Sequence, residues 1–205
     1  MPSADNAPGI IALANRIAHA LLLGSSGNDT LYPVDELFEA LRLEPALLDQ
    51  IVRDIPDECN ALKFSMIAQS TDETWPDYVS EVKQRFETGL RPLCFSANPG
   101  LDVVRIFCER ITDLSACSAP AGSAPDDAPN LAVIYVAKNA SDAELFTAFE
   151  SREQEAECDR LPLLIISNGG SADLKHRLFV DRPYVILAAP VRVTTFVEAA
   201  NDLLR

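Results

Sequence analysis

Residues 131–167, LAVIYVAKNASDAELFTAFESREQEAECDRLPLLIIS, decide the fold. The run from Leu131 to Ala137 is apolar without alternation, the mark of a strand buried on both faces rather than one. Residues 141–157 follow with helical character, starting at Ser141 or Asp142, where a short oxygen-bearing side chain can cap the first turn. Residues 161–167, LPLLIIS, repeat the buried-strand pattern. A helix between two such strands means that they run parallel, because a crossover rather than a tight hairpin joins them.

The same alternation extends both ways. Downstream lie a short helix over SADLKHRLF (171–179), a strand over YVILAA (184–189) and a last helix over TTFVEAANDLL (194–204). Upstream, PLCFSA (92–97) reads as a buried strand, and Asn98-Pro99-Gly100 turns into a helix over LDVVRIFCERI (101–111). LSACS (114–118) reads as a second strand and APAGSAPDDAPN (119–130) as a loop. The expectation is an α/β fold with five parallel strands and right-handed crossovers.

Before Gly89 the pattern is helical throughout. Ile10, Leu13, Ala14, Ile17, Ala18 and Leu21 recur at helical spacing up to Gly24, and 24–29 is a loop. Pro33 opens a second helix to Leu41, Pro45 a third to Ile55, and Pro56 a fourth to Ile67, with no strand among them. A further helix, with Thr74 as its cap and Val79, Val82 and Phe86 along one side, connects the two patterns. The expected organisation is a small all-α domain over 1–74, a connecting helix over 75–89 and an α/β domain over 90–205, with separate cores.

Composition excludes several classes. Seventeen basic residues stand against thirty-one acidic ones, a net charge of −14, and no basic patch interrupts the acidity. A phosphate backbone is held by cations, so no nucleic-acid partner is expected. The first 88 residues hold 15 of the acidic residues and only 6 basic ones, so the imbalance is heaviest in the helical part. No apolar run reaches the roughly 20 residues that span a bilayer, and the N-terminus lacks the basic start of a signal peptide. No membrane association and a cytoplasmic location are expected. Cys59, Cys94, Cys108, Cys117 and Cys158 are odd in number, irregular in spacing and form no C-x-x-C. That excludes a disulfide framework or zinc site, and no metal or cofactor is expected.

In their order and spacing, PNLAVIY (129–135), LPLLIIS (161–167) and AAPVRVTTF (188–196) resemble the third, fourth and fifth strands of receiver domains of two-component signalling. The resemblance covers residues 91–205 and implies a flavodoxin-like, doubly wound parallel sheet. Receivers hold Mg²⁺ with an acidic pair after the first strand and phosphorylate an aspartate at the end of the third. A hydroxyl after the fourth and a lysine before the fifth-strand proline complete the set, the cations neutralising charge on the transferring group. Here the acidic pair corresponds to Ala97 and Asn98, and the acceptor to Tyr135, or to Ala137 with a two-residue shift. The hydroxyl is Ser167, and the lysine is Ala189 before Pro190. The resemblance therefore implies a receiver without its chemistry, with no catalytic and no metal-binding residue. Residues 9–55 resemble the closing helices of HDOD-type signalling domains, which implies interaction rather than catalysis.

The other polar residues carry bland readings. His19 on an apolar helix has no ligand partners at metal spacing, and His176 sits between Lys175 and Arg177 on a solvated face. Ser25, Ser26 and Ser167 lack a G-x-S-x-G setting, and Gly169-Gly170 forms at most an anion nest without the P-loop Lys-Ser/Thr. Two functions stay open. One is a non-catalytic signalling module that binds a protein partner or a second copy through Leu174, Leu178, Phe179, Phe196 and Val197. The other is a small-ligand sensor holding a metabolite in the crevice near Ala97, Tyr135 and Ser167, a site that loss of the acidic pair makes less hostile to anions. Tyr135 either fills that crevice, with Ser167 or a water as partner for its hydroxyl, or points into the packing layer and leaves Ala137 to line it.

Overall fold

The computed structural model describes residues 6–23, 29–67, 78–112, 128–138, 142–155, 160–169 and 182–205. Four parallel strands form the sheet: β2 (Pro92–Ser96), β3 (Leu131–Val136), β4 (Leu163–Ser167) and β5 (Tyr184–Ala188), side by side in that order. Register runs Ser96 to Tyr135 to Ile166, and Ser167 to Ala188. The expected second strand, 114–118, lies outside the described residues, as does the expected helix over 171–179.

Strand alternation sorts the sheet's side chains into two layers. Leu131, Val133, Tyr135, Leu164 and Ile166 face one core, which they share with α5 (Val103–Ile111) and α7 (Val193–Leu204); Phe107 and Phe196 meet there edge to face, 5.2 Å apart. Ala132, Ile134, Val136, Leu163 and Ile165 face the other, under Leu145, Phe146 and Phe149 of α6 (Asp142–Glu155). Both faces are covered, which is why β3 and β4 read as unbroken apolar runs.

The front segment comprises α1 (Ala7–Ala20), β1 (Thr30–Leu31), α2 (Asp35–Leu41), α3 (Pro45–Ile67) and α4 (Tyr78–Gln84). Among the described residues its buried side chains form no separate cluster. Leu13, Ile17, Ala20, Phe38, Leu48 and Val82 belong to the same continuous cluster as Phe107 and Phe196. β1 pairs antiparallel with β6 (Val191–Arg192), Thr30 opposite Arg192, and the Val193 amide donates to the Asp29 carbonyl. Asn201 of α7 accepts from the Glu87 amide and donates to the Arg85 carbonyl, which fixes the end of α4. The separate cores expected from the patterning are thus replaced by one that both halves build.

Three local expectations change as well. The helices expected on either side of Pro56 are one, α3, running 23 residues; Pro56 has no amide to serve the Val52 carbonyl, and the helix continues without that bond. α1 stops at Ala20, short of Gly24: Leu22 takes the left-handed conformation (φ 54°), and the amides of Leu22 and Leu23 bond back to the carbonyls of His19 and Ala18. Phe196 and Val197, expected on a partner face, are buried in the shared core, while Leu174, Leu178 and Phe179 lie outside the described residues. Among the described residues no helix is long and apolar enough to cross a membrane.

Candidate functional site

Open parallel sheets bind ligands beyond the carboxyl ends of their strands. Here that edge above β2 and β3 is roofed by α2. Tyr135, the last inward-facing residue of β3, is buried, and its hydroxyl donates to Asp35 Oδ2 of α2 at 2.5 Å. Burial and the neighbouring Asp35 carboxylate raise the Tyr135 pKa, so the phenol stays protonated as a donor. One turn further out, Lys138 Nζ meets Glu36 Oε1 at 2.8 Å, which holds Glu36 below the usual carboxylate range. Between roof and edge is a cavity of about 510 Å³, with Phe38 and Leu43 among its lining on the α2 side and Asn98, Leu101 and Ala137 on the side of the strand ends.

The residues expected at a degenerate phosphorylation pocket separate into two groups. Asn98 lines the cavity, its amide held by Ser96 Oγ at 3.1 Å, and Ala97 beside it is exposed. Tyr135 lies beneath the cavity in the packing layer, and Ala137 lines it. Ser167 and Ala189 sit on the neighbouring strand ends and do not reach it: Ser167 Oγ donates to the Gly169 carbonyl, and the Ala189 amide donates to the Ser167 carbonyl. The Tyr135 hydroxyl donates to Asp35 rather than to Ser167, and the Asn168 side chain also reaches the phenol. That aspartate comes from a helix read as another domain.

Asp102 is the other ionisable group that sequence reading passed over. It caps α5, accepting from the Val104 and Arg105 amides at 2.9 and 3.0 Å. The residue is only 2 % exposed. Burial, with a smaller push from Asp35, raises its carboxyl from an ordinary 3.8 to about 7 against the two amides and the Arg105 guanidinium. The folded protein therefore holds this proton more tightly than the unfolded chain. The Asp102 contribution to stability is complete below pH 3.8 and declines as pH rises toward 7. Asp102→Asn keeps a capping oxygen and removes the titration. In urea melts the variant should gain on the parent steadily as pH rises from 3.8 toward 7, by about 1.4 kcal/mol for each pH unit crossed. A difference that stays constant with pH would mean that Asp102 ionises normally.

Cys59, Cys94 and Cys108 are free thiols; a hydrogen bond to Cys108 and burial raise Cys94 well above the usual thiol range. Cys117, Cys158, His176 and Gly170 lie outside the described residues. His19 packs edge to face on Tyr32, 6.4 Å between centroids. Among the described residues no cluster of three or more His, Cys, Asp or Glu is arranged to hold a metal. No family model, curated protein or solved structure matches the chain.

Proposed function

We propose that this chain is a non-catalytic regulatory protein that acts by binding a protein partner or a second copy, through a receiver-like domain that cannot be phosphorylated. The front helices, similar to HDOD-type closing helices, and the five-stranded receiver-like sheet form one cytoplasmic signalling unit. The observation that carries this reading is the Tyr135–Asp35 contact. A phenol stands where a receiver has its acceptor aspartate, and the chain's own α2 stands over it.

Incubation with acetyl phosphate and Mg²⁺ should leave the intact mass unchanged, and beryllium fluoride with Mg²⁺ should leave the melting temperature unmoved. One added phosphoryl group on residues 90–205, or Mg²⁺-dependent stabilisation by beryllium fluoride, would overturn the proposal. A second reading, a small-ligand sensor, is favoured by the cavity under α2, whose volume falls in the roughly 300–1,000 Å³ range of small-molecule sites.

A further inference from the structure

Without α2, the strand ends supply this cavity with Asn98, Ala137 and Lys138, a neutral-to-basic rim suited to an anion. α2 reverses that by adding Asp35, Glu36 and Glu39 to the wall. Glu36 is answered by Lys138. Among the described residues Asp35 accepts from a neutral phenol. Among the described residues no basic side chain pairs with the Glu39 carboxylate. Asp35 and Glu39 are four residues apart, so they are neighbours on one face of α2. Like charges at that spacing cost a helix about 0.2–0.5 kcal/mol. A cation between them would offset that repulsion.

We propose that the cavity binds a small organic cation, an ammonium or guanidinium on a short aliphatic stem. The inference rests on the ligand-sensor reading of the same crevice. The charged head sits between Asp35 and Glu39, and the stem lies on Leu43 and Ala137, the half-buried apolar side chains of the lining. A bare metal ion fits poorly: the space holds many water volumes, and among the described residues no three carboxylate, thiol or imidazole side chains converge to hold one. The net charge of −14 further raises the local concentration of cations over anions.

The test uses the full chain with three probes of one stem length: butylguanidinium, butylammonium and butyrate. Binding is followed by calorimetry and by amide chemical shifts. Both cations should bind saturably, with shifts at Phe38, Leu101 and Ala137, and more weakly as salt rises. Butyrate should not bind. Glu39→Gln, on the exposed side of α2, should weaken the cations about tenfold, the order of a charge-assisted hydrogen bond. Lys138→Gln should tighten them by removing the opposing charge. Butyrate binding more tightly than either cation, with shifts at the same three residues, would remove the cation assignment and leave a ligand site standing. No saturable binding by any probe would remove both. Cation binding indifferent to both substitutions would place it elsewhere on an acidic surface and overturn the proposal.

Discussion

A fragment of residues 89–205 is expected to lose the cooperative unfolding transition of the full chain. Patterning alone argues the opposite, because the α/β alternation begins just after Gly89. The side chains argue otherwise. Ten buried residues of the front segment, from Leu13 to Val82, sit in the cluster that covers α5 and α7. Burying one such apolar side chain is worth about 1.5–3 kcal/mol, and whole domains are stable by only about 5–15 kcal/mol. Their removal uncovers the apolar faces of α5 and α7, a loss on the scale of that margin. The fragment also loses the partner strand of β6 and the acceptor of the Tyr135 hydroxyl. It should show sheet and helix by far-ultraviolet circular dichroism, bind a hydrophobic dye and melt without a sharp midpoint. A cooperative urea transition with a slope in proportion to the fragment's length would show that the C-terminal core stands alone.

The second large effect is expected at Glu153, far from the crevice. Its carboxylate receives both Arg182 Nη1 and Nη2, at 2.9 and 3.0 Å, and also the Leu161 amide at 2.9 Å. The Glu153 side chain is 7 % exposed, and the Arg182 guanidinium lies over Phe149, 6.0 Å from its centroid. One carboxylate thus ties α6 to the chain entering β4 and to the chain entering β5. Removing one member of a buried pair leaves the other charge uncompensated, at a cost of about 3–5 kcal/mol. Glu153→Ala should lower the melting temperature by roughly 10 °C in a chain of this size. Arg182→Lys keeps the charge but loses the two-pronged geometry, and should fall between parent and Glu153→Ala. If Arg182→Lys melts with the parent, the fork contributes nothing and the charge alone matters.

Sequence legibility followed physical cause. β3 and β4 were readable because a strand covered on both faces has no polar side to obscure it. β1 was not: two residues, Thr30 and Leu31, carry no period, and their partner is 160 positions away in sequence. The ends of α1 and α2 were hidden because Leu22 and Arg42 take left-handed conformations where glycine is the usual signal. At the site, the chemical silence of Ala97, Asn98 and Ala189 was visible in the residue types. The roof was invisible. Tyr135 and Asp35 are 100 residues apart, and nothing local in PVDELFEAL marks its aspartate as the partner of a strand-end tyrosine. Asp102 was legible in principle, as an aspartate one residue before the apolar helix it caps.

The pairing of Thr30 with Arg192 has a consequence for the chain during synthesis. A ribosome adding roughly 5–20 residues per second takes about 8–30 s to travel from one to the other. For most of that interval α1 and α2 have been made, while α7 and β6, against which the fold closes, do not yet exist. α1 can pack on α5 once Ile111 is out, but the β1–β6 pair and the seat of α7 wait for residues 191–204. Part of the core can therefore form during synthesis, and burial across the two halves is completed in one late step rather than domain by domain.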